Sequence, residues 1–125
     1  MSDTLKRIVV AEDDPAIASM LRKVLSQFYD VTVTSDGAAA VAEASKQPPP
    51  DLLLLDVMMP GKDGHAVAAA VRALPGLKSV PIIFLTAKTG PAEVIKGIQS
   101  GARHYLTKPF KIDDLVAKVK KAIGG

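Results

Sequence analysis

Acidic, hydroxyl and ammonium side chains stand where four apolar runs of this chain end. RIVVA (Arg7 to Ala11) runs into Glu12, Asp13 and Asp14, and LLLL (Leu52 to Leu55) into Asp56. VPIIFL (Val80 to Leu85) ends at Thr86, and HYLT (His104 to Thr107) at Lys108 and Pro109. Carboxylates packed together repel, and some protonate unless a cation sits among them. Oxygen donors without His or Cys suit a hard divalent ion, Mg²⁺ before Zn²⁺. Such an ion keeps several waters and uses one or two carboxylates plus a phosphate oxygen. An oxygen of Asp56 is then free to attack phosphorus and form an acyl phosphate. Lys108 and Thr86 are suited to bind the phosphoryl oxygens and offset their charge.

That chemistry requires the four run ends to meet. Helix-period segments separate the apolar runs, and VTVT (Val31 to Thr34) adds a fifth strand. Asp14 before Pro15 reads as a cap followed by proline at the first helical position. Ile17, Met20, Leu21, Val24, Leu25 and Phe28 then mark one helical face. Asp36-Gly37 opens an alanine-rich helix, and an Asp63 cap precedes Val67, Ala70, Val71 and Leu74. A weaker helix starts at Pro91 and closes at Gly101. Ile112, Leu115, Val116, Val119 and Ile123 mark the last one. The order βαβαβαβαβα with strands this apolar predicts a parallel sheet covered on both faces. In such a sheet every strand ends on one edge, where ligands bind. Asp56 is therefore a site residue and not merely the start of a loop.

The chain has 125 residues, enough for one domain with a real core. Aliphatic side chains must fill that core, because aromatic residues make up only 4%. There are no cysteines, which excludes a disulfide scaffold and a thiolate metal site and fits a reducing compartment. No apolar run nears the roughly 20 residues that span a bilayer, and no signal-peptide pattern opens the chain. A cytoplasmic protein without membrane insertion is expected. The formal charge of +3 hides an asymmetry: eight Lys/Arg face ten Asp/Glu up to Ala87, then eight face three. Without a nucleic-acid motif or clustered aromatics, this basic excess is no case for direct nucleic-acid binding, and an acidic protein partner suits it equally. Pro48-Pro49-Pro50 reads as a stiff surface loop. His65 and His104 have no nearby ligand partners and read as surface or core residues, and Met59 reads as packing.

VVAEDDP (Val9 to Pro15), LLLLDVMMPGKDG (Leu52 to Gly64), LTA (Leu85 to Ala87) and YLTKPF (Tyr105 to Phe110) occur in that order. Together they resemble the receiver domain of two-component response regulators, especially the stand-alone chemotaxis type, across essentially the whole chain. The resemblance implies a single domain over residues 1–125 with a flavodoxin-like (βα)5 three-layer sandwich. Its five-stranded parallel sheet would have the order 2-1-3-4-5. It implies that Asp56 accepts a phosphoryl group from a histidine kinase or histidine phosphotransfer protein, and that a downstream protein target reads the result. On this reading the chain is a signalling module that catalyses only its own phosphorylation and dephosphorylation. Glu12 and Asp13 become the acidic pair, with Asp13, Asp56 and the Met58 backbone carbonyl on Mg²⁺, and Asp14 stays a helix cap. Tyr105 takes the aromatic switch position, responding as Thr86 moves toward the phosphoryl group. Output passes through the last two helices and the last strand. Met58 and Lys88 flank the phosphoryl group and tune its lifetime. Arg103-His104 and Lys118 depart from the acidic residues and arginine of winged-helix regulators. That argues against their salt-bridged dimer and for a monomer or a weak phosphorylation-dependent dimer.

Three other readings compete. A metal-dependent phosphohydrolase needs an Asp-x-Asp nucleophile after the first strand and a substrate-cap insertion, and the sequence has neither. A mononucleotide or flavin binder needs a glycine- or hydroxyl-rich phosphate loop there, whereas AEDDP repels phosphate. The chain stops soon after its last helix, leaving no room for an output domain, yet a receiver excised from a longer regulator ends in the same way.

Overall fold

Five strands form one parallel sheet in the order β2-β1-β3-β4-β5. They are β1 (Arg7–Ala11), β2 (Asp30–Thr34), β3 (Leu52–Asp56), β4 (Ile82–Thr86) and β5 (His104–Thr107). Among the described residues the helices are α1 (Pro15–Leu25), α2 (Gly37–Ala44), α3 (Gly64–Arg72) and α4 (Ile112–Ile123). This computed structural model describes residues 5–59, 63–86, 104–108 and 110–124. The helix expected from Pro91 to Ser100 lies outside the described residues, as do Lys88, Arg103 and Pro109. The flavodoxin-like order 2-1-3-4-5 is the one expected from the resemblance.

The run of four leucines follows from this architecture. Side chains alternate along a strand, so a strand covered on both faces needs apolar residues at every position. Leu53 and Leu55 point with Val9, Ala11 and Phe84 into the core under α2 and α3. Leu52 and Leu54 point with Ile8, Val10, Ile83 and Leu85 into the core under α1 and α4. All four leucines are fully buried, and each contributes roughly 1.5–3 kcal/mol of burial. Strand β2, on the sheet edge, is only half-buried and correspondingly richer in polar residues.

The helix starts are set by aspartates. Asp14 accepts from the Ala16 and Ile17 N–H groups, Asp36 from Ala39 and Asp63 from Ala66. Each cap satisfies amide donors that the first helical turn leaves open. At the opposite edge from these caps, the buried Arg7 side chain donates to the carbonyls of Pro48 (3.0 Å) and Glu43 (2.9 Å). That clamp ties Pro48 to the start of β1; Pro48 and Pro49 are exposed, as expected of a surface loop, whereas Pro50 is buried.

Two residues assigned to core faces lie outside. Phe28 is 44% exposed, because α1 ends at Leu25 and Phe28 falls in the turn beyond it. Its ring meets Tyr29 edge-on and carries Lys120 Nζ at 5.0 Å from its centroid. Ile112 is 48% exposed, in the first turn of α4, ahead of the buried Leu115 and Val119.

Candidate functional site

The parallel register gathers the acidic and basic run ends. Ala11 is level with Leu55, and Asp56 with Leu85, so Glu12 and Thr86 lie one step beyond these pairs. Lys108 follows β5, and its backbone N–H donates to the Thr86 carbonyl at 2.9 Å. Glu12, Asp56 and Thr86 are buried, at 1%, 3% and 1% exposure, whereas Asp13 is exposed. Glu12, Asp13 and Asp56 each bring a carboxylate oxygen within 4.8 Å of the others. A cleft of about 440 Å³ opens over them, lined by Asp13, Asp14, Pro15, Asp56, Met58 and Lys108.

The individual contacts divide the work. Lys108 Nζ lies 2.8 Å from Glu12 Oε1 and 3.4 Å from Asp56 Oδ2. Glu12 Oε2 accepts the Asp14 N–H at 3.1 Å, so both Glu12 oxygens are engaged. Asp56 Oδ1 accepts the Met58 N–H at 3.1 Å. Glu12 thus anchors the ammonium more closely than Asp56 does, while Asp13 and Asp56 line the cleft.

The charges are unbalanced in a telling direction. Burial pushes the Asp56 carboxyl up to about 7, the neighbouring Glu12 and Asp13 add to the rise, and Lys108 opposes it only in part. For Lys108, burial pulls downward, but its contacts with Glu12 and Asp56 outweigh that and hold it above the usual lysine range. A site in which one cation fails to balance three carboxylates has room, electrostatically, for a second. The donor set is all oxygen, and Mg²⁺ fits it better than a softer metal.

Of the other residues singled out in the sequence, Asp14, Met58, Met59, His65 and Tyr105 are among those described. Asp14 caps α1 and is not drawn into the carboxylate group. Met58 is 57% exposed at the mouth of the cleft, while Met59 is buried as packing. Tyr105 is half-buried, its ring 5.5 Å from that of Phe84. Phe84 also meets His65 edge-on at 4.5 Å, which makes His65 a packing residue of the core margin. Lys88 lies outside the described residues.

One positioning residue, Gly64, escaped the sequence reading. Its N–H donates to the Val57 carbonyl at 3.1 Å, and a Cβ built on it would sit 2.5 Å from the Asp56 carbonyl oxygen. The first turn of α3 therefore presses directly on the peptide that carries Asp56. The available signal was a glycine straight after the Asp63 cap, where helix formation alone asks for none. Replacing Gly64 by Ala gains at most about 1 kcal/mol of helix propensity, whereas forcing a methyl against fixed backbone costs roughly 1–3 kcal/mol. The clash wins. Gly64→Ala is expected to lower the urea midpoint at unchanged slope and to slow any reaction of Asp56. An unchanged midpoint would show that the backbone yields freely.

Comparison with known proteins places this geometry in a family. Residues 8–120 match the family model for the response regulator receiver domain. The DNA-binding response regulator MtrA of Mycolicibacterium smegmatis is 46% identical over 120 residues, which is 94% of this chain and 51% of MtrA. The chain thus spans about half the length of such relatives. Among solved structures, chemotaxis protein CheY4 of Vibrio cholerae superposes with a TM-score of 0.91 at 30% identity, covering 95% of this chain and 99% of CheY4. The receiver domain of sensor histidine kinase PA1611 from Pseudomonas aeruginosa, with a magnesium ion coordinated in its active-site cleft, gives 0.87 at 32% identity. That likeness covers 98% of this chain and all of the PA1611 domain. MtrA is DNA-binding, so these relatives lend no support to the expectation that nucleic acid is excluded. The chain belongs to the response regulator receiver domain family, the phosphoacceptor modules of two-component signalling.

Proposed function

We propose that Asp56 is the phosphoacceptor and that Glu12, Asp13, Thr86, Lys108 and the Met58 carbonyl complete its site. The observation that carries this reading is the Asp56 carboxylate, at the end of a buried strand, beside both Lys108 and the acidic pair. Asp13, Asp56 and the Met58 carbonyl would hold Mg²⁺, in keeping with the oxygen donors and with the magnesium of the Pseudomonas receiver. When bound, Mg²⁺ neutralises charge between carboxylate and phosphoryl oxygens.

The chain's own residues do the rest. An oxygen of Asp56 attacks phosphorus as the bond to the donor's histidine nitrogen, or to an acyl oxygen, breaks. Lys108, held in place by Glu12, takes up phosphoryl charge. The Thr86 hydroxyl donates to a phosphoryl oxygen, and Tyr105 on the neighbouring strand reorients in response. The donor is a histidine kinase or histidine phosphotransfer protein, and a downstream protein reads the surface of β5, α4 and the segment from Pro91 to Ser100 that the sequence reads as a helix. No helix among the described residues is long and apolar enough to cross a membrane, and the same reading places the chain in the cytoplasm. Met58 and Lys88 set the phosphoryl lifetime: a thioether and an ammonium orient an attacking water poorly, which favours slow hydrolysis.

Intact-mass measurement after incubation with acetyl phosphate tests the proposal. One phosphoryl group per chain, taken up only with Mg²⁺, is expected. Uptake that ignores Mg²⁺, or that exceeds one group, would contradict it.

A further inference from the structure

We infer that Met58 is a peroxide-sensitive modification site through which oxidant shortens the life of the phosphorylated state. The inference rests on the reading that Met58 flanks the phosphoryl group on Asp56. The chain has four methionines, no cysteine and no tryptophan, so thioether sulfur is its most oxidisable side-chain group. The described methionines differ sharply in access. Met58 is 57% exposed, Met59 is 8% exposed, and Met20 is partly covered against the core under α1. Met58 also has a fixed root, because its backbone N–H donates to Asp56 Oδ1 at 3.1 Å. Its side chain lines the cleft of about 440 Å³ over the carboxylates, where there is room for a water beside a phosphoryl group.

The reaction is balanced with hydrogen peroxide as the oxidant. The sulfur lone pair attacks one peroxide oxygen, an S–O bond forms and the O–O bond breaks. The departing hydroxide takes the proton left on the transferred oxygen and leaves as water. Sulfur is oxidised by two electrons, and methionine becomes the sulfoxide. The product is polar, and its oxygen accepts hydrogen bonds far better than a thioether does. An apolar shield at the mouth of the site thereby becomes a group that orients water toward phosphorus.

The test combines oxidation mapping with phosphate-loss kinetics on the full chain. Hydrogen peroxide is added, and peptide mass spectrometry follows each methionine. Oxidation at Met58 is expected to run about tenfold faster than at Met59 or Met20. After phosphorylation with acetyl phosphate and removal of the donor, the oxidised protein should lose phosphate roughly tenfold faster than the untreated one. Methionine sulfoxide reductase should restore the slow rate. Met58→Gln, with an amide oxygen in place of the sulfoxide, should be fast without peroxide, and peroxide should not alter the rate in Met58→Leu. Equal oxidation of Met58 and Met59 would overturn the site, and so would a peroxide effect that persists in Met58→Leu. If Met58 oxidises without changing the rate while Met58→Gln is fast, the redox role fails and the lifetime role stands. If neither change alters the rate, both fail.

Discussion

The Asp56→Asn protein is expected to take up no phosphoryl group and, without metal, to resist urea better than the parent above pH 7. The first effect follows from the loss of the nucleophilic oxygen. The second follows from burial. In the folded chain the Asp56 carboxyl is pushed up to about 7, against an ordinary value of 3.8. Between these values the folded state binds the proton more tightly than the unfolded state does, so the stability of the parent falls as pH rises. The contribution is fully present below about pH 4 and lost above about pH 7. A shift of this size corresponds to a change of at most about 4 kcal/mol between the ends of that window, and asparagine, which does not titrate, escapes it. Urea unfolding of both proteins at pH 4 and pH 8, with chelator present, measures the effect. A stability difference between them that stays constant with pH would mean that the Asp56 carboxylate is adequately solvated or paired without a metal.

Removing Asp13 is expected to separate metal binding from the anchoring of Lys108. Asp13 is exposed at the cleft, and its carboxylate is among the three that converge there. Glu12, by contrast, has one oxygen on Lys108 and the other on the Asp14 N–H. Asp13→Asn should therefore weaken Mg²⁺ binding by roughly 10- to 100-fold, the size of loss seen when a metal site is perturbed. Phosphoryl uptake at limiting Mg²⁺ should fall in parallel and recover as Mg²⁺ is raised. Stability without metal should not fall, because a carboxyl that helps to push Asp56 up has been removed. Titration calorimetry for the metal and intact mass for the phosphoryl group check both halves. Slower uptake at unchanged Mg²⁺ affinity would mean that Asp13 acts on the reaction by another route.

Much of this arrangement could be read from residue order because it depends on local rules. Four leucines in a row make sense only in a strand with two buried faces, and the aspartates before α1, α2 and α3 are caps that a sequence announces. The convergence of Glu12, Asp56, Thr86 and Lys108 follows once the strands are parallel. Periodicity was less informative at helix ends. It shows where a side chain points around a helix, but not how far that helix runs past the sheet, and so Phe28 and Ile112 were misplaced. The role of Gly64 is set by its distance through space to the Asp56 carbonyl, which no spacing pattern carries. The pairing of Lys108 with Glu12 more closely than with Asp56 is likewise a matter of fractions of an ångström.

The most direct test of the central claim is to trap the modified side chain. Borohydride reduces an acyl phosphate of aspartate to the alcohol of homoserine, marking the residue that carried it. The parent protein is treated with acetyl phosphate and Mg²⁺, reduced and read by peptide mass spectrometry. Homoserine at position 56 and nowhere else is the predicted result. Homoserine at Asp13 or any other aspartate, with Asp56 unchanged, would contradict the account.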